Sequence, residues 1–372
     1  ALQDFVDRQR NRPDFSDLHE TIVGFAGRIA EGAAQAAESS KDRTYLQVSA
    51  DAGRILDRYS PLDAPPRELQ DRIADATRSA ELAIQRHETY NTAVADIQTA
   101  INEDRPLEGL EIRRQLLNRF PDFGKDKRLA QLLEACLSAE RELVVRDDSK
   151  TEPPNGETAD LPATPLSLTL HQRVRTNEVS TGTVVFALAK DCCYGIDAVT
   201  GEPTWRQVVG LDQPFFPIRV ATSVPGLLLF DSNHGGLALL DERSGAVVWR
   251  QRLGDEGHVA PSGAPLVHEG QIYLPLGRRL YQLDAESGSI TTQLTFPQSL
   301  HAPPVLETAG RRLFVAGQQD VIYTLSMRPL ECVGVSYLNH QAGALAAPLW
   351  PIGALLLLPA NYRRSSRRLR AL

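Results

Sequence analysis

Apolar side chains recur at helical spacing through the first 148 residues. The first stripe predicts a helix that has Ser16 as its N-cap and runs into the Ala-rich stretch 30–37; its members are Leu18, Ile22, Phe25 and Ile29. Further stripes predict five more helices, over 45–59, 69–83 (begun by Pro65-Pro66), 90–101, 107–120 (begun by Pro106) and 129–137. Short connections between such helices favour antiparallel hairpins.

From Leu166 onward the apolar runs become short and are separated by turn residues. One unit contains Ala264–Val267, Ile272–Leu274 and Leu280–Leu283, and the next repeats the order with Pro303–Leu306, Leu313–Val315 and Ile322–Leu325. Runs of this length between turn signals are typical of β-strands. The pattern therefore predicts helices first and an all-β region after them.

Each β unit contains the same turn, with the pattern Asp-x-x-Thr/Ser-Gly-x-x-x-Trp. The copies are Asp197, Thr200, Gly201 and Trp205; Asp241, Ser244, Gly245 and Trp249; and Asp284, Ser287 and Gly288, with Thr292 in the Trp position. The carboxylate and hydroxyl can accept hydrogen bonds from the backbone N–H groups of the turn, and glycine supplies the positive φ that closes it. The Trp begins the next strand, where we expect it to pack on a neighbouring unit.

The spacing of the turns predicts the architecture. Asp197 and Asp241 are 44 residues apart, Asp241 and Asp284 are 43 apart, and Ser326 takes the Asp position of a decayed copy 42 residues later. Four-stranded repeats of roughly 40–50 residues are typical of β-propeller blades.

This turn, with Ala-Pro strands before it, resembles the repeat of the quinoprotein-dehydrogenase-like (PQQ-repeat, BamB-like) β-propeller superfamily. The resemblance covers residues 166–360. The superfamily includes pyrroloquinoline-quinone (PQQ) enzymes, outer-membrane assembly lipoproteins of the BamB type and extracellular sensor propellers. The resemblance implies the fold and an extracytoplasmic, periplasmic location, but it does not decide activity, because catalytic and non-catalytic members share the motif.

The expected fold class is multidomain, α followed by all-β. Residues 1–148 are a helical domain, either an ordinary bundle or a tetratricopeptide-like array suggested by 90–121; residues 149–165 are a Pro-rich linker; and residues 166–372 are propeller blades. About four blades and part of a fifth are present, whereas the resemblance implies seven or eight. We expect missing sequence or another chain to complete the propeller, because open sheet edges associate.

The net charge and the C-terminal tail limit the classes of partner that can be expected. A formal net charge of −7 argues against a nucleic-acid partner. Residues 342–360 carry no charge and precede five arginines, as a membrane span would, yet Pro348, Pro351 and Pro359 favour propeller strands. The arginine run is interpreted as a solvated or disordered end. Any membrane tether is expected to come from sequence outside this chain.

The strongest candidate for a redox or cofactor site is the pair Cys192-Cys193. Adjacent cysteines that close a disulfide ring beside the cofactor are a feature of quinoprotein alcohol dehydrogenases, which the resemblance brings in together with PQQ and Ca²⁺. Here the pair lies in a predicted strand and is followed by Tyr194, whereas in those enzymes it lies in a loop before an acidic residue. Side chains of successive strand residues point to opposite faces, which favours packing over ring closure.

No other catalytic or metal-binding pattern stands out in the sequence. His258 and His301 both lie at blade starts, and a repeated structural position accounts for them better than a metal site. The favoured function is therefore a non-catalytic interaction scaffold, assembly factor or sensor ectodomain with a protein partner and no cofactor. The alternative is a PQQ-dependent alcohol or sugar dehydrogenase.

Overall fold

The computed structural model describes residues 4, 8, 19–59, 67–153, 184–211, 213–254, 261–307, 309–339, 349–352, 355–362 and 366–371. These residues group into two compact units, Ala1–Thr99 with Gln115–Leu129, and Ala100–Arg114 with Ala130–Leu372. Several predicted features lie outside the described residues: Ser16, Pro65-Pro66, most of the linker, the first strand of the first blade, His258 and Ala347-Pro348.

The described helices follow the apolar stripes closely. They are α1 (His19–Ser40), α2 (Thr44–Tyr59), α3 (Arg67–Asn102), α4 (Pro106–Arg119) and α5 (Lys127–Glu142), with a short 3₁₀ turn at Pro121–Lys125. Two of them begin at side-chain caps: Asp42 Oδ1 accepts the backbone N–H of Thr44 at 2.9 Å, and Asp126 Oδ1 accepts that of Leu129 at 2.9 Å. Such caps satisfy N–H groups that have no partner inside the helix.

One helix prediction is wrong. The separate helices expected over 69–83 and 90–101 are the single helix α3. The intervening residues Ile84–Thr89 contain neither Pro nor Gly, so nothing in the backbone chemistry ends the helix there.

The first unit is held by an antiparallel pair of helices. Ile22 and Ala26 near the start of α1 share a buried cluster with Ile55, Leu56 and Tyr59 at the end of α2. Deeper in the pair, the hydroxyl of Ser49 donates to the carbonyl of Ala30 at 2.8 Å, which satisfies a buried polar group. The predicted hairpin of α1 and α2 is therefore present.

In the described residues of the second unit there are five antiparallel sheets. After β1 (Val145–Asp147), the first blade has β2 (Val184–Ala189), β3 (Cys192–Asp197) and β4 (Pro203–Val208). The second has β5 (Ile218–Val220), β6 (Gly226–Asp231), β7 (Gly236–Asp241) and β8 (Val247–Arg252); the third has β9 (Leu266–His268), β10 (Gln271–Leu276), β11 (Arg279–Asp284) and β12 (Ile290–Thr295). The fourth has β13 (Val305–Leu306), β14 (Arg312–Ala316), β15 (Val321–Met327) and β16 (Leu330–Tyr337), and a fifth sheet has β17 (Trp350–Ile352), β18 (Leu355–Tyr362) and β19 (Ser366–Ala371).

The blades stack face to face in chain order. Along β6, Leu227 and Leu229 pack in a cluster with the first blade, whereas Leu228 and Phe230 pack in a cluster with the third. Because alternate strand residues point to opposite faces, a strand covered on both sides needs a continuous apolar run. The predicted fold class, helices followed by a partial propeller, is confirmed.

The strand β1 was not predicted. Val145–Asp147 pair antiparallel with Gln293–Thr295 of β12, and Thr151 bridges to Ile290, so the third blade has a fifth, outermost strand. These residues had been divided between the helical domain, which was to end at 148, and the linker. The backbone of 145–147 is instead part of the β unit, as are residues 100–114 and 130–142 of the helices.

The C-terminal arginine run is not disordered over residues 366–371, which form a strand. Arg367, Arg368 and Arg370 lie in β19, whose backbone pairs with β18. Within 342–360, the described residues 350–352 and 355–360 lie in β17 and β18, as expected for propeller strands. In the described part of the chain, no helix has the length and apolar character needed to cross a membrane.

Candidate functional site

The three turns that share the Asp-x-x-Thr/Ser-Gly pattern have nearly the same geometry. Asp197 Oδ1 accepts the backbone N–H groups of Val199 and Thr200, both at 2.8 Å, and the N–H of Gly201 closes on the Asp197 carbonyl at 2.9 Å. Gly201 has φ +74°, a left-handed conformation that glycine adopts without Cβ strain. The carboxylate hydrogen bonds lower the pKa of Asp197. Each predicted role in this first turn is present.

The second and third turns add a side-chain bond. Asp241 Oδ1 accepts the N–H and hydroxyl of Ser244 at 2.7 and 2.8 Å, and Asp284 Oδ1 accepts those of Ser287 at 2.8 and 2.9 Å. Gly245 and Gly288 complete the two turns with φ +71° and +72°. The turn residues are therefore engaged in holding strand connections.

Each Trp joins its blade to the turn of the next blade. The indole N–H of Trp205 donates to the carbonyl of Glu242 at 3.0 Å, and that of Trp249 donates to the carbonyl of Ala285 at 3.0 Å. The acceptor is in both cases the residue after the turn Asp. The indole ring also covers the next turn glycine, since a Cβ on Gly245 would lie 2.5 Å from Cδ2 of Trp205. We name this arrangement the indole lock.

The two later blades lack the lock. Strand registers place Thr292 of the third blade and Gly334 of the fourth in the position of Trp205 and Trp249. Thr292 is buried, and its hydroxyl donates to Asp148 Oδ1 at 3.1 Å, just beyond β1. In the third blade, the residue at the indole position is thus hydrogen-bonded to the segment that follows the added strand.

Cys192 and Cys193 lie in β3 and are free thiols that point into two different clusters. Cys193 packs with Trp205 and Leu227 between the first two blades, whereas Cys192 packs with Ala187 and Ile196 on the other face. Burial raises the pKa of Cys193 to about 12 and also raises that of Cys192. This donor set does not fit a cofactor-facing disulfide ring, because the two sulfur atoms are on opposite sides of the sheet.

The histidines do not converge in the described part of the chain. His301 is partly buried and its pKa is lowered, chiefly by burial. His234 is paired through Nδ1 with Asp231 Oδ2 at 2.8 Å in the turn between β6 and β7. His258 lies outside the described residues, so its pairing with His301 at one end of a channel stays untested. Within the described ranges, no group of three His, Cys, Asp or Glu side chains is placed to hold a metal ion.

A buried polar cluster surrounds Glu140 and was not predicted from the sequence. Glu140 has no exposed surface, and its Oε1 accepts hydrogen bonds from the Tyr323 hydroxyl and, at 3.4 Å, from Nε2 of Gln298. Gln298 Oε1 in turn accepts the backbone N–H of Gln319 at 2.8 Å. Burial raises the pKa of Glu140. One signal was available: Glu140 follows Cys136 by four residues and so continues the apolar stripe of α5 with a charged residue.

Glu140 lines a pocket of about 480 Å³ within the second unit. Apolar walls come from the start of α4, the end of α5 and the segment after β12; they are Pro106, Leu107, Leu143 and Pro297. The polar lining is mostly acidic, with Asp104, Glu108 and Glu111 beside the single cation Arg105. The pocket combines an apolar interior with a few convergent polar groups, as ligand sites do.

Comparison with known proteins identifies the repeat. Residues 163–274 and 233–329 match a family model described as outer membrane protein assembly factor BamB. Among solved structures, BamB from Moraxella catarrhalis matches at 16% sequence identity and a TM-score of 0.38, over 60% of this chain and 63% of that chain. The chain therefore spans less than two thirds of that relative's length. No curated protein matches the sequence.

Proposed function

Because the strands from Val184 to Met327 are blades of a PQQ/BamB-like β-propeller, we propose that this chain is a non-catalytic assembly factor that works through protein contacts in outer-membrane protein assembly. The observation that carries the proposal is the match of the BamB family model across the first three blades and the first three strands of the fourth. The propeller would supply one contact surface and the helical unit another.

The use of the motif residues supports a structural role for them. The Asp, Ser/Thr and Trp side chains of the turns are engaged in turn hydrogen bonds or in the indole lock, and the glycines close the turns with a positive φ. Residues that hold blades together leave substrate or partner recognition to loops and exposed faces, where binding residues are most often found.

Exposed apolar side chains offer such faces in both units. In the second unit, the segment before β5 exposes Leu211 at 74% and Phe216 at 61%. In the first unit, α1 exposes Phe25 and Ile29, and α2 exposes Tyr45 and Val48. Large apolar residues left in water on neighbouring positions favour a protein partner.

The proposed location is outside the cytoplasm, in the periplasm, by analogy with the family. Any membrane tether and the remaining blades would come from sequence outside this chain or from another chain. Both statements rest on the BamB-like relation.

In-cell photo-crosslinking tests the proposal. A benzophenone amino acid is placed at Phe216, at Phe25 and, as a matched exposed control in a blade turn, at Val199. The proposal expects the Phe216 or Phe25 variant to crosslink to protein components of outer-membrane assembly more strongly than the Val199 variant. It is contradicted by absence of such adducts.

A parallel assay addresses the dehydrogenase alternative. The purified chain is mixed with PQQ and Ca²⁺, and dye reduction is followed with alcohols and sugars. The proposal expects no turnover above that of a Cys192→Ser, Cys193→Ser double variant. Cofactor-dependent turnover that this double variant lacks would establish the enzyme instead.

A further inference from the structure

One oxygen of the buried Glu140 carboxyl is left without a partner beside an open pocket. Its Oε1 is engaged by Tyr323 and Gln298, but among the described residues no group donates to Oε2. A buried carboxyl oxygen that accepts no hydrogen bond is costly, and folded proteins contain few of them. Glu140 is also one of the residues that line the pocket.

The charges around the pocket leave an excess of acid. Arg105 is already paired with Glu103 and Glu108, and Glu111 is paired with Arg114 through Nε at 2.7 Å. In the part of the chain that the structure describes, no basic side chain forms an ion pair with Asp104, and none does so with Glu140. Asp104 and Glu140, which have no ion pair among the described residues, thus both line the same pocket.

We propose that this pocket binds a primary ammonium group carried on an aliphatic stem. The apolar walls of Pro106, Leu107 and Leu143 suit a methylene chain, and Glu140 Oε2 accepts the N–H of the ammonium at its tip. A guanidinium is disfavoured because it pairs best with both oxygens of a carboxylate, and Oε1 is already engaged. The ligand class is therefore a lysine side chain of a polypeptide or a small alkylamine, and the proposal stands whether or not the proposed function does.

Binding is coupled to the protonation of Glu140. Among the described residues, the groups that act on this carboxyl are Tyr323 and Gln298, with Arg278 and Cys332 at longer range, and burial raises the pKa of the carboxyl above its ordinary value. A bound cation favours the ionised carboxylate, so binding releases a proton. The affinity for ammonium ligands therefore falls as the pH is lowered through the titration of Glu140.

Calorimetric titration of the full chain tests the proposal. Three probes are used: Nα-acetyl-lysine N-methylamide, n-butylammonium, and the neutral Nε-acetylated form of the first. The expected result is binding of the cationic probes but not of the neutral one, with proton release seen as a dependence of the heat on buffer. Binding of the lysine amide alone identifies a polypeptide source, and equal binding of butylammonium identifies a free amine.

Substitutions in the pocket test whether the lysine probe binds next to Glu140. Glu140→Gln is expected to weaken the lysine probe roughly 30-fold or more, as removal of a buried charged partner does, whereas Glu142→Gln at an exposed position of the same helix leaves it unchanged. Leu143→Trp fills the pocket and should also abolish binding, so the site is tested even if the Glu140 variant fails to fold. No binding of any cationic probe to the wild-type chain, or binding that survives both Glu140→Gln and Leu143→Trp, overturns the proposal.

Discussion

The indole of Trp205 lies directly over Gly245, the glycine that closes the turn of the following blade. The ring approaches so closely that a Cβ on Gly245 would be 2.5 Å from Cδ2, and the indole N–H donates at 3.0 Å to Glu242 in the same turn. Trp249 and Gly288 repeat the arrangement one blade later, with 2.4 Å to the corresponding atom. Glycine is needed at these turns for two reasons, its positive φ and the space for the ring of the preceding blade.

An added methyl group should therefore lower the unfolding free energy by different amounts at different turn glycines. Gly201 has a positive φ like that of Gly245, but no atom lies within 4 Å of the position that a Cβ would take there. Gly201→Ala should cost about 1–2 kcal/mol of unfolding free energy from the left-handed backbone alone. Gly245→Ala should cost a further ~1–3 kcal/mol because the added carbon meets the indole. Urea unfolding of both variants measures the difference, and equal losses would show that the ring does not constrain Gly245.

The turn aspartates predict acid sensitivity. Backbone N–H groups hold the pKa of Asp241 below its ordinary value, with the N–H of Ser244 as the largest cause. Since the folded-state pKa is depressed, the carboxylate stabilises the fold above its unfolded pKa of about 3.9, and this contribution is lost as the pH falls through the folded-state value. Asp241→Asn removes the titrating group and keeps an acceptor oxygen.

The stability difference between wild type and Asp241→Asn should accordingly be constant above about pH 5 and shrink on acidification. Urea midpoints measured from pH 6 to pH 3 provide the comparison, with Asp197→Asn as a second test at a turn whose Asp pKa is also lowered. A difference that does not change with pH in either variant would contradict the account of the turns.

Glu140 predicts the opposite pH dependence. Its pKa is raised by burial in the fold, so ionisation costs more in the folded than in the unfolded chain. Wild-type stability is therefore lost as the pH rises from the unfolded pKa, about 4.3, through the folded-state value. Relative to wild type, Glu140→Gln should gain stability as the pH rises above about 4.3. Thermal unfolding across this range measures the stability difference between Glu140→Gln and wild type. Glu142→Gln is the control for loss of one charge. A stability difference that becomes smaller as the pH rises would contradict the prediction.

The buried thiol Cys193 should be unreactive in the folded chain. Its pKa is raised to about 12 by burial, and the thiolate is the reactive form. Alkylation with iodoacetamide at about pH 8, followed by peptide mass spectrometry, should modify Cys193 only after unfolding in urea. Rapid native labelling, or a Cys192–Cys193 disulfide recovered from the untreated protein, would instead favour the redox interpretation of the pair.

Features of the fold that depend on neighbouring residues were predictable from the sequence, and those that depend on distant contacts were not. The turn at Asp241 is specified by a few nearby positions and a Trp, so its pattern and spacing indicated both turn and blade. By contrast, β1 has only three residues, too few for periodicity, and it pairs with the distant strand β12. Nothing local marks Val145 as a strand residue.

The same reasoning applies to the candidate site. Glu140 was visible only as a charged residue on an apolar helix stripe, whereas its role depends on Tyr323 and Gln298, which reach it from the propeller region. In a similar way, the helical pattern of α4 and α5 does not reveal that parts of both helices group with the β strands in the second unit.

A double-mutant cycle between Trp205 and Gly245 tests the central claim most directly. If the indole lock joins successive blades, Gly245→Ala should destabilise the fold much less when Trp205 is already replaced by Ala. In that background, the loss of unfolding free energy should be about 1–2 kcal/mol, as for Gly201→Ala. The effects of the two substitutions are then coupled and not additive. Additive unfolding free energies, with Gly245→Ala equally costly in the presence and absence of the indole, would contradict the account.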